Sequence, residues 1–213
     1  MQNPTINFWT EFVNTKGAFS CCEAIALYNI VSSVEQGDFI ELGSHRGRSS
    51  ICIASAMPLV SRLILVEPEF QDKEWSQDVL NKVSKWMPKN NMLQGFAGYS
   101  LDVLKFFNDI SFCFVDSGLH DDMVMDEVKL LEDKVLINGV IAFHDYGEKS
   151  QFTAVTRAYD YLVSTGKYEP ILIDWEEIFQ FIKDNDLKDG ELSWHVYPEL
   201  PHPPNFVGAL RRK

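Results

Sequence analysis

Short apolar runs alternate along this chain with longer segments in which apolar residues recur at the spacing of a helix. The runs predict strands, and the periodic segments predict helices. The predicted strands are residues 39–42, 62–68, 90–98, 111–116, 139–145, 169–174 and 205–212. The predicted helices are residues 18–34, 49–57, 73–87, 100–107, 121–133 and 152–166, with Ser100 as the expected N-cap of the fourth. Residues 175–184 fit either a helix capped by Asp174 or a strand that returns from a turn.

Several of the predicted strands are continuous apolar runs, which indicates that both of their faces are covered. Strands of this kind that alternate with helices are typical of a mostly parallel α/β sheet. The length predicts a single domain over residues 1–213, with an N-terminal helical segment at residues 1–35. Residues 185–204 contain the sequence YPELPHPP, whose prolines exclude a long helix or a central strand. This segment is either a lid over the functional site or a plain surface connection.

The charge of the chain narrows its expected partners. A net charge of -12 argues against binding to a nucleic-acid backbone or to an anionic membrane surface. No apolar run approaches the roughly 20 residues of a membrane span, and the N-terminus lacks the basic and apolar regions of a signal peptide. The four cysteines form neither a disulfide framework nor a CxxC metal site. We therefore expect a cytoplasmic protein that acts on a small molecule.

The turn after the first predicted strand, ELGSHRG, contains Gly43 and Gly47 but lacks the third glycine of a dinucleotide-binding turn. Glu41, just before the turn, would repel a pyrophosphate and attract a cation. Glu67, at the end of the second strand, can accept hydrogen bonds from both hydroxyls of a ribose. Together these residues suit an adenosine with a positively charged tail, such as S-adenosylmethionine. The alternative is a turn that only begins a helix, with Glu41 solvated.

Five segments in order along the chain carry a resemblance to a known family. FIELGSHRGRSS, LILVEP, AGYS, FVDSGLHDDMVMDEVKLL and NGVIAFHDY resemble the successive motifs of class I S-adenosylmethionine-dependent methyltransferases. The resemblance is to the group with macrocin O-methyltransferase-like and cephalosporin-hydroxylase-like enzymes, of the methyltransferase domain family 24 type. It covers residues 18–165 and the final strand. It implies a Rossmann-like, doubly wound sheet of seven strands in the order 3-2-1-4-5-7-6, with the last strand antiparallel.

The resemblance also implies how the motif residues bind S-adenosylmethionine. The first turn would bind the methionine end, Glu67 the ribose, and the AGYS motif the adenine side. The implied cofactor-binding residues are Glu41, Gly43, Ser44, Gly47, Ser49, Glu67, Gly98, Tyr99, Ser100 and Asp116. Arg46 and Arg48, in the same turn, either bind an anionic group of the substrate or are simply solvated, and we expect the second.

Two carboxylates follow neighbouring strands of the predicted sheet, Asp116 after the fourth and Asp145 after the fifth. Neighbouring strand ends lie about 5 Å apart, and two carboxylates this close ionise together cheaply only when a cation lies between them. A divalent metal, Mg²⁺ or another ion that takes oxygen ligands, would satisfy both. Such an ion would lower the pKa of a substrate hydroxyl and orient it. The resemblance likewise implies that Asp116 and Asp145 are metal ligands.

Two histidines complete the expected catalytic cluster with Asp116. Related enzymes often have an acid where this chain has His144, and some have a second Asp where it has Gly118. These departures leave His120 as the best candidate for the general base, because the pKa of a histidine lies near working pH. His144 is either a metal ligand or the base. The alternatives are that Asp116 only caps a turn, that Asp145 only binds backbone N–H groups and that His120 is a surface residue.

The sequence therefore predicts a methyltransferase that uses S-adenosylmethionine to methylate a hydroxyl of a small molecule, with help from a divalent metal. One alternative is a protein that binds the cofactor without catalysis, which Gly118 in place of an acid keeps open. A less favoured alternative is a nicotinamide-dependent oxidoreductase, against which Glu41 and the missing third glycine count. A homodimer through the N-terminal helices is compatible with the sequence but has no signal of its own.

Overall fold

The computed structural model of this protein describes residues 6–118, 121–147, 153–188 and 206–213. The strands are β1 (Asp38–Leu42), β2 (Arg62–Val66), β3 (Met92–Phe96), β4 (Ile110–Val115), β5 (Val135–Tyr146), β6 (Tyr168–Pro170) and β7 (Phe206–Arg212). The helices are α1 (Ile6–Asn14), α2 (Cys21–Ser32), α3 (Arg48–Ala56), α4 (Lys73–Ser84), α5 (Ser100–Val103), α6 (Asp121–Leu131), α7 (Thr153–Ser164) and α8 (Trp175–Asp184). None of the helices in these ranges is both long and apolar enough to cross a membrane.

The strands form one sheet in the order β3-β2-β1-β4-β5-β7-β6. All neighbouring strands are parallel except that β7 runs antiparallel to both β5 and β6. This confirms the predicted class, the strand order and the direction of the last strand. The register aligns Leu42 of β1 with Val66 of β2 and Val115 of β4. The carboxyl ends of the central strands therefore lie level at one edge of the sheet, where ligands of open α/β sheets bind.

Successive residues of the central strands pack into two separate apolar layers, because side chains alternate between the faces of a sheet. Phe39 of β1 and Phe112 of β4 pack beneath α1, α2, α3, α4 and α8. Ile40 and Leu42 of β1 pack beneath α5, α6 and α7 on the other face. Glu41 therefore points to the same face as Phe39, into the layer that holds α3.

Two predicted elements are shorter than the sequence pattern indicated. The strand predicted at residues 169–174 is paired only over Tyr168–Pro170, and the chain leaves the sheet after the N–H of Ile171 donates to the carbonyl of Ala209. Leu172, which follows, has an exposed fraction of 94%. The helix predicted at residues 100–107 is a single α turn followed by a 3₁₀ turn at Leu104–Phe106.

Two predictions about helix starts have different outcomes. Residues 175–184 form a helix, and the carboxylate of Asp174 caps it by accepting a hydrogen bond from the N–H of Glu177 at 2.9 Å. The prediction that Ser100 is an N-cap is wrong, because Tyr99 occupies that position and the Ser100 hydroxyl donates to Glu127 instead. Most of residues 185–204, the segment predicted as a lid or a surface connection, lies outside the described residues.

Candidate active site

The level strand ends of β1, β2, β4 and β5 enclose a cavity of about 380 Å³. Its wall is formed by the turn after β1, by one residue after β2, by two residues after β4, by the end of β5 and by the segment before α2. The wall residues are Lys16, Gly17, Ala18, Phe19, Gly43, Ser44, His45, Arg46, Arg48, Ser49, Glu67, Asp116, Ser117, His144 and Asp145. Two smaller pockets, of about 130 Å³ and 120 Å³, share wall residues with it on either side. Together the three pockets extend along the carboxyl edge of the sheet.

The two glycines of the first turn are required by backbone geometry. Gly43 has φ of +89°, and a Cβ there would lie 2.2 Å from the carbonyl oxygen of Asp116. Gly47 has φ of +84° and is the N-cap residue of α3. Both conformations are unfavourable for residues with a Cβ. Glycine at these positions thus allows the turn to pass against the loop after β4 and enter α3 directly.

Glu41 is fully buried behind the turn and does not line the cavity. Its carboxylate accepts hydrogen bonds from the Ser49 hydroxyl, at 2.5 Å, and from the Ser50 hydroxyl. Burial raises the pKa of the Glu41 carboxyl to about 7 against the opposing effect of these two serines. The alternative that Glu41 is solvated is wrong, because the strand directs its side chain beneath α3. Glu41 reaches the cavity wall through serines of the turn and of α3, and its predicted role at the methionine end stays a prediction.

Glu67 lies in the wall between the turn and the smaller pocket at the β2 end. Its Oε2 accepts from the N–H of His45 at 2.8 Å, and its Oε1 accepts from the N–H of Glu69 at 3.3 Å. These bonds fix the carboxylate and link the ends of β1 and β2. Each oxygen keeps further capacity to accept, as recognition of a ribose would require.

The AGYS motif lines the pocket of about 120 Å³, which Gly98, Tyr99 and Ser100 share with Glu67 and other residues. Behind this pocket lies Glu127 of α6, which the sequence reasoning did not single out. Glu127 is fully buried and accepts hydrogen bonds from the hydroxyls of Ser100 and Ser117. The sequence feature that could have identified Glu127 is its position as an acidic residue on the apolar side of an amphipathic helix.

Asp116, His144 and Asp145 converge at the opposite end of the cavity. The Nδ1 of His144 lies 3.1 Å from Asp116 Oδ1 and 3.4 Å from Asp145 Oδ2. One ligand atom from each of the three residues lies within 4.8 Å of the others. Asp145 adopts φ of +60° at this bend. The structure therefore brings the three predicted metal ligands together.

A fourth residue, Glu23 of α2, completes this cluster and was missed by the sequence reasoning. Its Oε1 lies 3.2 Å from the Nε2 of His144. Its Oε2 accepts from the N–H of Ser20 at 2.8 Å and from the Ser20 hydroxyl at 2.6 Å, in a capping box that begins α2. The signal was the sequence SCCE, because Ser-x-x-Glu is typical of a capping box. It predicts the start of a helix but not the contact with a histidine far along the chain.

The carboxylates set the charge of His144. Burial alone lowers the pKa of a histidine, but Asp116 and Glu23 together raise the pKa of His144 well above its usual value. For Glu23, burial raises the pKa of the carboxyl, but His144 and Ser20 outweigh it and lower the pKa overall. The ring also packs 5.3 Å from the ring of Phe19, measured between centroids. The buried acids of this cluster therefore favour the charged, imidazolium form of His144.

The two arginines of the first turn differ from each other in burial. Arg48 is buried, donates from Nη1 to the carbonyl of Thr15 at 2.9 Å and lies over the ring of Phe12 at 4.3 Å. The expectation that it is solvated is wrong, because it joins the end of α1 to the start of α3. Arg46 lies over the ring of Trp75 at 4.1 Å.

His120, the predicted general base, lies outside the described residues. Gly118, where some related enzymes have a second Asp, lines the pocket of about 130 Å³ together with His144 and Asp145. The geometry around the cluster therefore leaves the identity of the base as a prediction.

A model of the methyltransferase domain family matches residues 40–146, which is half of the chain. The matched region begins in β1 and ends with β5, so it contains the glycine turn, Glu67 and all three residues of the Asp116, His144 and Asp145 cluster. The chain belongs to the methyltransferase domain family. The predicted family is thereby confirmed. No curated protein matches the chain in a direct comparison of sequences.

Solved structures of methyltransferases share the fold of this domain. An O-methyltransferase from Bacillus cereus in complex with S-adenosylhomocysteine has a TM-score of 0.62, with 12% identity over 98% of this chain and 92% of that chain. The O-methyltransferase TomG from Streptomyces achromogenes, in complex with S-adenosylmethionine, has a TM-score of 0.53, with 16% identity over 72% and 73%. An rRNA methylase from Streptococcus thermophilus has a TM-score of 0.54, with 9% identity over 89% and 93%. These likenesses show the fold, and their different substrates show that it does not determine the methyl acceptor.

Proposed function

We propose that this protein is an S-adenosylmethionine-dependent O-methyltransferase that acts on a hydroxyl of a small molecule with the help of a divalent cation. The observation that carries the proposal is the shared cavity wall. Gly43, Glu67 and Ser117 line both the main cavity and the pocket at the AGYS end, and the main cavity continues to Asp116 and Asp145. A nucleoside-type site and a carboxylate cluster therefore face the same space.

The residues at the turn fit S-adenosylmethionine. The Ser44 hydroxyl is buried in the wall, and its hydrogen-bond geometry with every described residue is poor. It lies close enough to Glu41 to help lower the pKa of that carboxyl. It is available to a polar ligand. The Ser49 hydroxyl donates its hydrogen bond to Glu41. Its oxygen therefore remains available to accept from a donor such as the cofactor's ammonium group. Glu67 keeps accepting capacity for the ribose hydroxyls.

The donor set at the other end fits a divalent cation. Carboxylates bind both Mg²⁺ and Mn²⁺, but imidazole is a poor ligand for Mg²⁺. A site with two carboxylates and one imidazole therefore favours an ion such as Mn²⁺. With Nε2–H of His144 donating to Glu23, Nδ1 would present its lone pair to the space between Asp116 and Asp145. A carboxylate that orients a ligating histidine through its second nitrogen is a common feature of metal sites. Asp116, Asp145 and His144 would hold the ion, and Glu23 would orient His144.

When bound, S-adenosylmethionine supplies the activated methyl group and the cation lowers the pKa of the acceptor hydroxyl. The contribution of the protein is alignment. Glu67 and Ser49 fix one end of the cavity, and Asp116 and Asp145 fix the acceptor at the other. Alignment of two reactants contributes roughly 7–11 kcal/mol to lowering a barrier. The proton of the hydroxyl then passes to a base, for which His120 is the predicted group; His144 is the alternative only if it does not hold the cation.

The test is to measure cofactor, metal and turnover separately. Calorimetry should detect binding of S-adenosylhomocysteine, and Mn²⁺ should bind with a spectroscopic signal that Asp116→Asn and Asp145→Asn abolish. Asp102→Asn is the matched control, because Asp102 is an exposed acid paired with Lys105 outside the cavity. Labelled S-adenosylmethionine and a panel of phenols, alcohols and sugars would then identify the acceptor.

Each measurement has an outcome that contradicts a part of the proposal. Stabilisation by NADH but not by S-adenosylhomocysteine would favour the oxidoreductase, against which family membership already counts. A ligand at 100 times its Kd raises the free energy of unfolding by about 2.7 kcal/mol, which a thermal unfolding assay detects. Cofactor binding without turnover on any acceptor would favour the non-catalytic alternative. Mn²⁺ binding unchanged in both aspartate variants would exclude the cluster as the metal site.

A further inference from the structure

The buried Glu127 acts on the cavity only through two serines. Ser100 and Ser117 both line the pocket at the AGYS end, whereas Glu127 stands behind them and is not part of the wall. Both hydroxyls donate to the same atom, Oε1 of Glu127. The other oxygen, Oε2, is buried and has no hydrogen-bond partner among the described residues. The carboxylate thus fixes where the two hydroxyl protons point.

A serine hydroxyl has one proton and two lone pairs, so a hydroxyl that donates in one direction can only accept in the others. The protons of Ser100 and Ser117 are directed away from the pocket, toward Glu127. The arrangement does not depend on the charge of Glu127. Burial raises the pKa of this carboxyl, but the two serines occupy both lone pairs of Oε1, so a proton would reside on Oε2. Toward the pocket, both serine oxygens act as acceptors in either case.

The remainder of the pocket selects a flat, mostly apolar group. Val66, Pro68, Met123 and Tyr99 line it beside the serines, and Tyr99 is largely exposed, as a ring that covers a ligand would be. A planar base with an amino group on its edge matches both features, because the amino group supplies donors to two acceptors. The same base with a carbonyl at that position would place the carbonyl oxygen, an acceptor, against the two serine oxygens, which are also acceptors.

We propose that Glu127, through Ser100 and Ser117, makes this site selective for a nucleoside with an amino-substituted purine over its oxo counterpart. The inference rests on the proposed function, in that the ligand at this end is the nucleoside part of S-adenosylmethionine. Glu127 is a positioning residue here, since it does not touch the ligand. Leaving buried acceptors unpaired costs enough to weaken binding roughly 10-fold to 100-fold.

The experiment compares two ligands that differ only at this position, S-adenosylhomocysteine and S-inosylhomocysteine, by calorimetry on the full chain. The wild-type protein should bind the adenosyl compound at least about 10-fold more tightly. In Glu127→Leu no acceptor stands behind the two serines, so their hydroxyl protons are free to turn toward the pocket. The preference should then fall below about 3-fold, with adenosyl affinity reduced and inosyl affinity increased. Glu67→Gln is the matched control: it should weaken both ligands equally, because their ribose is the same, and keep the preference.

The outcomes separate this inference from the proposed function. If the wild-type protein binds neither compound, the proposed function fails. If it binds both equally, or if Glu127→Leu retains the full preference while it melts cooperatively, the inference fails and the proposed function stands. Should Glu127→Leu not fold, Ser100→Ala combined with Ser117→Ala removes the acceptors directly. That variant should also lose the preference, and retention of the preference would overturn the proposal.

Discussion

The two ends of the cavity use buried acids in opposite ways. At the turn and the AGYS end, Glu41 and Glu127 lie behind serine hydroxyls and outside the wall. At the other end, Asp116 and Asp145 face the cavity and share the imidazole of His144. An acid behind a hydroxyl sets the direction of hydrogen bonds without adding charge to the site, whereas an acid in the wall attracts a cation. Apart from Glu67, whose carboxylate in the wall is held by the N–H groups of His45 and Glu69, the difference assigns neutral recognition to one end and charge to the other.

The sharpest way to break this comparison is to remove the acids in the wall. We expect Asp116→Ala and Asp145→Ala to lower turnover on the order of 100-fold to 1000-fold, because the acceptor would lose its positioning and activation. The affinity for S-adenosylhomocysteine should change only a few-fold in either variant. Steady-state kinetics and calorimetry measure the two quantities. An equal loss of turnover and cofactor affinity would show that the two ends do not divide these tasks.

The glycine turn permits a matched pair of stability measurements. Gly43→Ala should cost about 3 kcal/mol or more, because it combines a left-handed backbone with overlap against the carbonyl of Asp116. Gly166, after α7, also has a left-handed φ, of +72°, but a Cβ there would meet no atom within 4 Å. Gly166→Ala should therefore cost only about 1 kcal/mol. Denaturant unfolding measures both, and equal costs would contradict the close approach of the turn to β4.

Glu23 tests whether the charged end needs a second layer of support. Glu23→Gln keeps an acceptor for Nε2–H of His144 and should lower Mn²⁺ affinity less than about 10-fold. Glu23→Ala removes the acceptor and should lower it roughly 10-fold to 100-fold, the usual effect of losing the partner of a ligating histidine. Titration of Mn²⁺ by magnetic resonance measures both variants. Unchanged affinity in Glu23→Ala would show that Asp116 and Asp145 bind the ion without an oriented His144.

The last expected effect is confined to a limited range of pH and concerns the neutral end. The pKa of Glu41 is raised to about 7 in the folded protein, so between its unfolded value near 4.5 and about 7 the folded state binds more protons. The contribution of Glu41 to stability should then decrease as pH rises through that window, by on the order of 3 kcal/mol over its full width. Glu41→Gln cannot ionise and should lose this part of the pH dependence. Unfolding measured from pH 5 to pH 8 for both proteins gives the difference, and parallel curves would contradict the assignment.

The sequence predicted those parts of the site that depend on position along a strand. The mostly parallel sheet follows from alternation, the strand order follows from the family resemblance, and Asp116 and Asp145 meet because parallel strand ends lie at one edge. The contact between Glu23 and His144 was not predictable, because it depends on how α2 packs against β5. The burial of Arg48 beneath α1 was missed for the same reason. Local pattern determines which element carries a residue, while packing between distant elements determines what its side chain touches.

The capping box of α2 links the stability of this helix start to the position of His144. One carboxylate, that of Glu23, begins the helix through Ser20 and also tethers the imidazole at the end of β5. Fraying of the first turn of α2 and loss of the contact between Glu23 and His144 should therefore be coupled. A ligand that holds the imidazole in place should slow amide hydrogen exchange at the start of α2, on a segment that it never touches.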